Sequence, residues 1–238
     1  MNLLRFDSEA GWIEGIVCFW LDRLRANPRL RMCLTSGHTP LPIYEAMARA
    51  ARKSGLSFKR AEVFALDDFG GLTPEDEGRC QNMLRRHFVS RTDLPERRFH
   101  TIDTEAKDLP RVCRDYDARI GAGFDLAILG LGLNGHLGLN EPGSSPRSTT
   151  RRVDLHPSTI AASAKYLAHA RLPTWGVGVG LKHLVGAREV WLLANGPKKA
   201  PIVRRAVQGT VSARTPASLL QRHGRSFIFL DDEAAALL

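Results

Sequence analysis

The stretch from Phe124 to Ser145 constrains the fold of this chain more than any other part of the sequence. It opens with an apolar run, Phe124 to Leu129, that is typical of a strand buried on both faces in a parallel sheet. The run ends in a glycine-rich loop that contains His136 and Glu141. In α/β folds, a strand followed by such a loop is a usual place for a binding or catalytic site. The sequence therefore predicts an active-site loop directly after a central strand.

The same loop contains the G-x-G-x-x-G pattern of dinucleotide-binding proteins, at Gly130, Gly132 and Gly135, and Asp154 follows at about the spacing of the ribose-binding acid. That pattern requires a helix to begin inside the motif, so that its N-terminus contacts the pyrophosphate. Here glycine, asparagine and proline crowd the region in which the helix would run, and all of them disfavour a helix interior. An irregular loop that carries catalytic side chains is the better interpretation, and we expect no nucleotide cofactor.

The length suits one large α/β domain or at most two small ones, and with no interdomain linker in the sequence we expect one domain over residues 1–238. The chain is 43% hydrophobic and 25% charged, as in ordinary globular proteins. No apolar run approaches the roughly 20 residues that span a bilayer, and the mixed N-terminus does not resemble a signal peptide, so we expect no membrane partner. The four cysteines form no C-x-x-C motif, which predicts a reduced, cytoplasmic protein without disulfides or a metal cluster.

The net charge of +9 raises the question of a nucleic-acid partner. The basic residues are scattered, however, and no segment resembles a basic region, a helix-turn-helix or an aromatic RNA-binding sheet. A solvated basic surface, which weakly attracts anionic substrates, is the better interpretation. We therefore expect no nucleic acid as a partner.

Hydrophobic periodicity predicts strands and helices that alternate along the chain. This alternation predicts an open, mostly parallel sheet with helices on both faces, a Rossmann-like three-layer fold. The segment 147–152 is polar and is expected to be mobile, and residues 175–180 are expected to form a strand or a turn. The predicted helices cover residues 7–26, 40–54, 76–90, 108–121, 157–170 and 200–208, and the other predicted strands cover residues 31–34, 61–66, 99–102, 124–129, 188–194 and 226–230.

Unusual residues concentrate in four strand-to-helix loops, which in an open parallel sheet lie at the carboxyl edge where ligands bind. The turn Gly37–Thr39 precedes Pro40 at the start of a helix, so it is either an anion site or a plain turn with Thr39 as N-cap. Asp67 and Asp68 follow a buried strand, and one of them can be an ordinary surface acid. The four loops are residues 35–40, 67–69, 130–141 and 195–199.

Five sequence blocks, in the same order, resemble the glucosamine-6-phosphate deaminase/isomerase family over essentially the whole chain. The longest block runs Gly130-x-Gly-x-Asn-Gly-His-x-Gly-x-Asn-Glu-Pro-Gly143 and looks closest to the galactosamine-6-phosphate branch. The other four are Thr39-Pro40-Leu41, Leu66-Asp67-Asp68-Phe69, Gly196-x-x-Lys199-Ala200 and Pro216-Ala-Ser-x-Leu-x-x-His223.

The resemblance implies aldose–ketose isomerisation of a 2-amino-2-deoxyhexose 6-phosphate with loss of ammonia, and it implies no metal or organic cofactor. Asp67 corresponds to the base that moves a proton from C2 to C1, and His136, oriented by Glu141, assists ring opening. Asn134 stands where some members have an acid, so it cannot share a proton and His136 is expected to work with Glu141 alone. The implied phosphate-binding residues are Ser36, Gly37, His38, Thr39, Lys165 and Lys199.

The chain also departs from the family pattern. Lys165 replaces a common arginine and offers a point charge instead of a bidentate fork. Arg79-Cys80 replaces a Ser-Tyr or Ser-Cys pair.

Two other classes of protein are similar in fold to the family that this chain resembles. A 6-phosphogluconolactonase-like hydrolase has a similar phosphate loop, but the residues 140–143 belong to the deaminase pattern. A non-catalytic sugar-phosphate-sensing domain predicts an attached DNA-binding module, for which 238 residues leave no room, and it gives no reason for Asp67 beside His136 and Glu141. The sequence leaves open which hexosamine 6-phosphate epimer is used and whether the chain forms a homo-oligomer.

Overall fold

The computed structural model of the chain describes residues 1–167 and 172–238. The described residues form two sheets, one of seven strands in which every neighbouring pair is parallel and one of three strands in which every pair is antiparallel. The strands are β1 (Asn2–Phe6), β2 (Arg31–Leu34), β3 (Glu62–Ala65), β4 (Asp67–Phe69), β5 (Phe99–His100), β6 (Leu126–Gly130), β7 (Arg151–Asp154), β8 (Trp175–Gly178), β9 (Glu189–Ala194) and β10 (Ser226–Asp231). The large sheet has the order β1-β10-β9-β6-β2-β3-β5, and the small sheet has the order β4-β8-β7.

Helices cover both faces of the large sheet. They are α1 (Glu9–Ala26), α2 (Leu41–Lys53), α3 (Cys80–His87), α4 (Leu109–Ile120), α5 (Pro157–Ser163), α6 (Leu181–Leu184) and α7 (Ala200–Gln208). Side chains of α1 and α2 pack in one core cluster, and those of α4, α6 and α7 pack in another on the opposite face. The predicted three-layer α/β fold is therefore confirmed.

The central strand β6 shows why these residues form a sheet buried on both faces. Leu126 and Ile128 belong to one core cluster, and Ala127 and Leu129 belong to the other. Side chains alternate between the two faces of a strand, so a continuous apolar run fills both cores at once. The strand then delivers Gly130 to the carboxyl edge of the sheet.

The small sheet is the main feature that the sequence did not predict. Its strand β7 includes the last two residues of the segment 147–152, and the mobility expected of that segment stays a prediction. Of the two structures predicted for residues 175–180, a strand or a turn, the structure shows a strand, β8, over Trp175–Gly178. Both Gly176 and Gly178 lie in close contact with Leu139, and a Cβ on Gly176 would lie 2.4 Å from a methyl carbon of that leucine. Glycine in β8 therefore lets the active-site loop pack against the small sheet.

Several helix boundaries also differ from the predictions. The helix predicted over 76–90 is confined to α3 and a following 3₁₀ turn at Val89–Arg91, and the one predicted over 157–170 ends as α5 with a 3₁₀ turn at Ala164–Tyr166. Residues 168–170 of that prediction lie outside the described residues. Strand β1 was not predicted, because an edge strand with exposed residues lacks a buried apolar run. Within the described ranges, every helix is too short or too polar to cross a bilayer.

Candidate active site

A cleft of about 530 Å³ lies at the carboxyl edge of the large sheet. The chain segments that follow β2, β3, β6 and β9 line it, because the carboxyl ends of parallel strands share one edge. Its volume is within the range of about 300–1,000 Å³ for small-molecule sites. The predicted site residues that line the cleft are Ser36, Gly37, His38, Thr39, Asp67, His136, Lys165 and Lys199.

The turn after β2 has the geometry of a candidate anion site. Gly37 has a φ of +103°, and a Cβ there would lie 2.8 Å from the hydroxyl oxygen of Tyr166, so a larger residue does not fit. The N-cap residue of α2 is Pro40, and the Thr39 hydroxyl donates instead to Oδ1 of Asn195 at 3.3 Å. The interpretation of Thr39 as a simple N-cap is therefore wrong. No side chain caps the N-terminus of α2, and an anion site in the turn before it stays a prediction.

Lys199 enters the cleft from the loop that follows β9. Its Nζ donates to the carbonyl oxygen of Leu131, and burial, with a contribution from the charge of Lys165, lowers the pKa of Lys199 from 10.5 to about 8. The N–H of Gly196, at a φ of +81°, donates to the Asp231 carboxylate at 2.9 Å and so fixes this loop. The lysine is therefore held on the same edge of the sheet as the turn after β2.

Lys165 lies at the same end of the cleft but remains exposed. Its Nζ lies 4.8 Å from the centre of the Tyr166 ring, and that ring makes a T-shaped contact with His38. Burial, together with the charge of Lys165, lowers the pKa of His38. Three lysines, Lys165, Lys198 and Lys199, line the cleft and supply its positive charge.

The two adjacent acids of β4 have different environments. The Asp68 side chain is fully buried and accepts hydrogen bonds from the backbone N–H groups of Phe69 and Cys80 and from the side chains of Arg79 and Gln81, at 2.8–3.0 Å. Arg79 is itself buried and also contacts Glu105 and Thr104. Each of the two Asp68 oxygens therefore accepts two hydrogen bonds from the protein. Asp68 therefore holds β4 to the start of α3 and faces away from the cleft.

Asp67, in contrast, lines the cleft. Burial raises the pKa of Asp67 from 3.8 to about 6, the negative charge of Asp68 adds to this increase, and a hydrogen bond from the Cys80 thiol opposes it. Gly138 makes this arrangement possible, because a Cβ at its φ of +58° would lie 2.9–3.0 Å from Leu66 and from the Asp67 carboxylate. A carboxyl with a pKa near 6 is suited to take up and return a proton near neutral pH.

His136 lines the same cleft and is largely buried. Its Nδ1 lies 3.4 Å from Oε2 of Glu141 and 3.3 Å from Oγ1 of Thr159. The ring lies directly against Gly132, where a Cβ would be 2.3 Å from Nε2. Glycine at 132 therefore makes room for the imidazole, and Nδ1 faces the buried acid.

Glu141 is almost fully buried behind His136. Burial alone would raise its pKa, but hydrogen bonds with His136, Thr159 and Asn134 lower the pKa of Glu141 to about 2. The carboxyl is therefore ionised throughout the physiological pH range. It supplies a negative charge beside Nδ1 of His136 and favours a proton on that nitrogen.

Asn134 links the backbone of His136 to the side chain of Glu141. Its Nδ2 donates to Oε2 of Glu141 at 2.8 Å, and its Oδ1 accepts the backbone N–H of His136 at 3.1 Å. Asn134 and Thr159 both contact the His136–Glu141 pair, and the expectation that His136 shares a proton with Glu141 alone stays a prediction. Neither Asn134 nor Glu141 lines the cleft itself.

Sequence reasoning missed three residues that the structure brings to the site, namely Thr159, Tyr166 and Cys80. The first two come from α5 and its following turn, whose local sequence predicts only a helix. The departure at Cys80 was noticed in the sequence, but its contact with Asp67 depends on how α3 packs on β4. No helix begins between β6 and β7, so the glycine pattern lacks the helix that a dinucleotide site needs. In residues 1–167 and 172–238, no three His, Cys, Asp or Glu side chains are grouped so as to hold a metal ion.

Comparison with known proteins gives consistent results. A family model described as glucosamine-6-phosphate isomerases/6-phosphogluconolactonase matches residues 14–228. The chain is 40% identical to a glucosamine-6-phosphate deaminase of Pseudarthrobacter chlorophenolicus, over 90% of this chain and 84% of the relative. It is 37% identical to a glucosamine-6-phosphate deaminase of Rhodopirellula baltica, over 98% of this chain and 92% of the relative.

Solved structures show the same fold. A monomeric glucosamine-6-phosphate deaminase superposes with a TM-score of 0.96 at 28% identity, with all of both chains covered. A 6-phosphogluconolactonase from Trypanosoma brucei superposes with a TM-score of 0.79 at 20% identity, over 100% of this chain and 98% of the other, which shows the fold alone. Because the relatives described here carry the glucosamine name, the galactosamine branch stays a prediction. This chain belongs to the family of glucosamine-6-phosphate isomerases and 6-phosphogluconolactonases.

Proposed function

We propose that this chain is an amino-sugar phosphate deaminase that converts glucosamine 6-phosphate or galactosamine 6-phosphate, with water, to the ketohexose 6-phosphate and ammonia. The observation that carries the proposal is the placement of Asp67. Its carboxyl, with a pKa near 6, lines the same cleft as His136 and Lys199. The deaminase names of relatives at up to 40% identity support it.

Each step of this reaction has a residue of suitable chemistry in the cleft. His136 moves a proton as the sugar ring opens to the free aldehyde, with Glu141 beside its Nδ1. Asp67 removes the proton from C2 to form an enolamine, the nitrogen counterpart of an enediol, and returns it to C1. The resulting C2 imine adds water and releases ammonia, which leaves the ketone at C2.

The phosphate is assigned to the opposite end of the cleft. Lys199, Lys165 and the backbone N–H groups of Gly37–Thr39 offer positive charge and donors there, and the side chains of Ser36 and Thr39 lie in the same loop. Binding energy from the phosphate then orients the remote sugar carbons over Asp67. The family resemblance assigns no metal or organic cofactor to these steps.

Lactone hydrolysis is the alternative that the family description leaves in place. It requires activation of a water molecule and no proton transfer between C2 and C1, so release of ammonia distinguishes the two reactions. A coupled assay for ammonia and ketose 6-phosphate with both hexosamine phosphates tests the proposal directly. Formation of both products from at least one epimer is the expected result. Acid release from 6-phosphogluconolactone, without ammonia from either hexosamine phosphate, would contradict it.

The cellular context is part of the same proposal. The four cysteines, at positions 18, 33, 80 and 113, are free thiols, which supports a reducing cytoplasmic compartment. The charge and size of the cleft suit a small phosphorylated amino sugar. We therefore propose an enzyme that acts without nucleic acid or membrane.

Replacing Lys199 by methionine should weaken substrate binding at the phosphate. A charge-assisted hydrogen bond is worth about 1.5–3 kcal/mol, so KM should rise roughly 10- to 100-fold. In the wild type, kcat/KM should also fall as the pH rises through about 8, because Lys199 loses its charge above its pKa. Steady-state kinetics between pH 6.5 and 9 measure both effects.

Lys182→Met is the matched control for this experiment, because Lys182 is exposed on α6 and does not line the cleft. It removes the same charge from the chain and should leave KM and its pH dependence unchanged. A Lys199→Met enzyme with the KM of the wild type would show that the phosphate binds elsewhere.

A further inference from the structure

Helix α5 and the turn after it contact both ends of the cleft. The N-terminal side of this segment reaches the catalytic loop, where the backbone N–H of His156 donates to Oε1 of Glu141 at 3.3 Å and Ser158 Oγ accepts from Asn134 at 3.4 Å. Its C-terminal side carries Lys165 and Tyr166 at the phosphate end. The same short segment therefore links the group that binds phosphate to the group that opens the ring.

The hydroxyl of Thr159 is the one side-chain group of α5 that contacts the catalytic imidazole. Thr159 is 7% exposed, and its Oγ1 lies 3.3 Å from Nδ1 of His136. An ionised carboxylate can only accept hydrogen bonds. Because the ionised Glu141 lies beside Nδ1, it favours a proton on that nitrogen, and the Thr159 oxygen is then placed to accept a hydrogen from it.

Glu141 shares its oxygen between two partners. Its Oε2 lies 3.4 Å from Nδ1 of His136 and also accepts from Asn134 at 2.8 Å. The threonine oxygen, at 3.3 Å, is thus a second acceptor beside Nδ1. With Nδ1 protonated, Nε2 of the neutral ring carries the free lone pair, and this nitrogen lies against Gly132 in the wall of the cleft.

We propose that Thr159 is a positioning residue that keeps His136 in the tautomer protonated on Nδ1, so that Nε2 accepts the proton when the sugar ring opens. This proposal rests on the proposed deaminase function, since ring opening is the step that needs the free Nε2. It goes further in assigning a role to a residue of α5 in the wall of the cleft.

The kinetic test compares Thr159→Val, which keeps the shape and removes the hydroxyl, with Thr159→Ser, which restores it. Thr159→Val should lower kcat about tenfold, the usual worth of one hydrogen bond, with KM unchanged, and Thr159→Ser should recover most of the rate. Thr150→Val is the matched control. Thr150 is 4% exposed, and its hydroxyl makes no hydrogen bond within the described ranges, so this change should not affect kcat.

The tautomer itself is measured by long-range ¹H–¹⁵N NMR of protein labelled at histidine, with the His136 signals identified by their loss in His136→Gln. The wild type should show Nδ1 protonated and Nε2 free, and Thr159→Val should show a mixture of the two tautomers. An unchanged tautomer or kcat in Thr159→Val, or an equal loss of kcat in Thr150→Val, would overturn the role of Thr159. Because the NMR result does not depend on turnover, it stands even if no ammonia is released, an outcome that would contradict the proposed function instead.

Discussion

Replacing His136 by glutamine is expected to slow turnover about 10²- to 10⁴-fold, the usual contribution of a positioned acid or base. This corresponds to roughly 3–5 kcal/mol of activation free energy. Glutamine retains polarity and approximate size but cannot exchange a proton at the position of Nε2. Initial rates with saturating hexosamine phosphate, divided by the concentration of folded enzyme, measure the effect.

The imidazole also fills space against Gly132, so a loss of stability has to be separated from a loss of catalysis. His183→Gln is the matched control, because His183 is similarly buried and its Nε2 lies 2.9 Å from Oδ1 of Asp117, outside the cleft. Both variants should lower the melting temperature, and only His136→Gln should lower the rate per folded molecule. An unchanged rate in His136→Gln would show that the residue has only a packing role.

The large sheet and the catalytic loop could be predicted from the sequence because each has a strong local signal. The apolar run of β6 indicates a strand buried on both faces, and the glycines after it exclude a helix. Strand alternation also distinguishes Asp67 from Asp68, since neighbouring side chains point to opposite faces. In the structure, Asp68 is fully hydrogen-bonded away from the cleft and Asp67 lines it.

The parts that were missed depend on tertiary contacts without a local pattern. The strands of the small sheet have only three or four residues, and β7 alternates between half-buried and exposed side chains, so neither length nor hydrophobicity reveals them. Thr159 meets His136 across 23 residues of sequence through the packing of α5. The glycines of the catalytic loop also have a different purpose from a nucleotide motif. Gly132 makes room for the imidazole, and Gly138 lets the loop approach Asp67.

Asp67→Asn is expected to have the largest effect on activity, a loss of about 10⁴-fold, because the amide has no basic group for the transfer between C2 and C1. Exchange of deuterium from solvent into C1 of the ketose 6-phosphate product should disappear with it, since this exchange reports the same proton transfer. In the wild type, kcat/KM should fall as the pH drops through about 6, when the Asp67 carboxylate becomes protonated.

Asp68→Asn is the neighbouring comparison. It leaves the buried Arg79 without its full counter-charge, so it should destabilise the fold by about 3–5 kcal/mol, while the surviving folded enzyme retains most of its exchange activity. Exchange that persists in Asp67→Asn would show that the base for proton transfer is another residue.

The stability of Asp67→Asn gives an independent check on the environment of this acid. A carboxyl whose pKa is 3.8 when unfolded and about 6 when folded binds protons more tightly in the native state. The free energy of unfolding of the wild type should therefore decrease as the pH rises from about 4 to 6, by about 3 kcal/mol in total. The amide of the Asp67→Asn variant does not titrate, so its free energy of unfolding should not decrease in this range. The variant should be more stable than the wild type above pH 6, and the difference should vanish below pH 4. Urea unfolding at pH 4 and pH 7.5 measures it, and equal differences at the two pH values would contradict a buried, ionised base at Asp67.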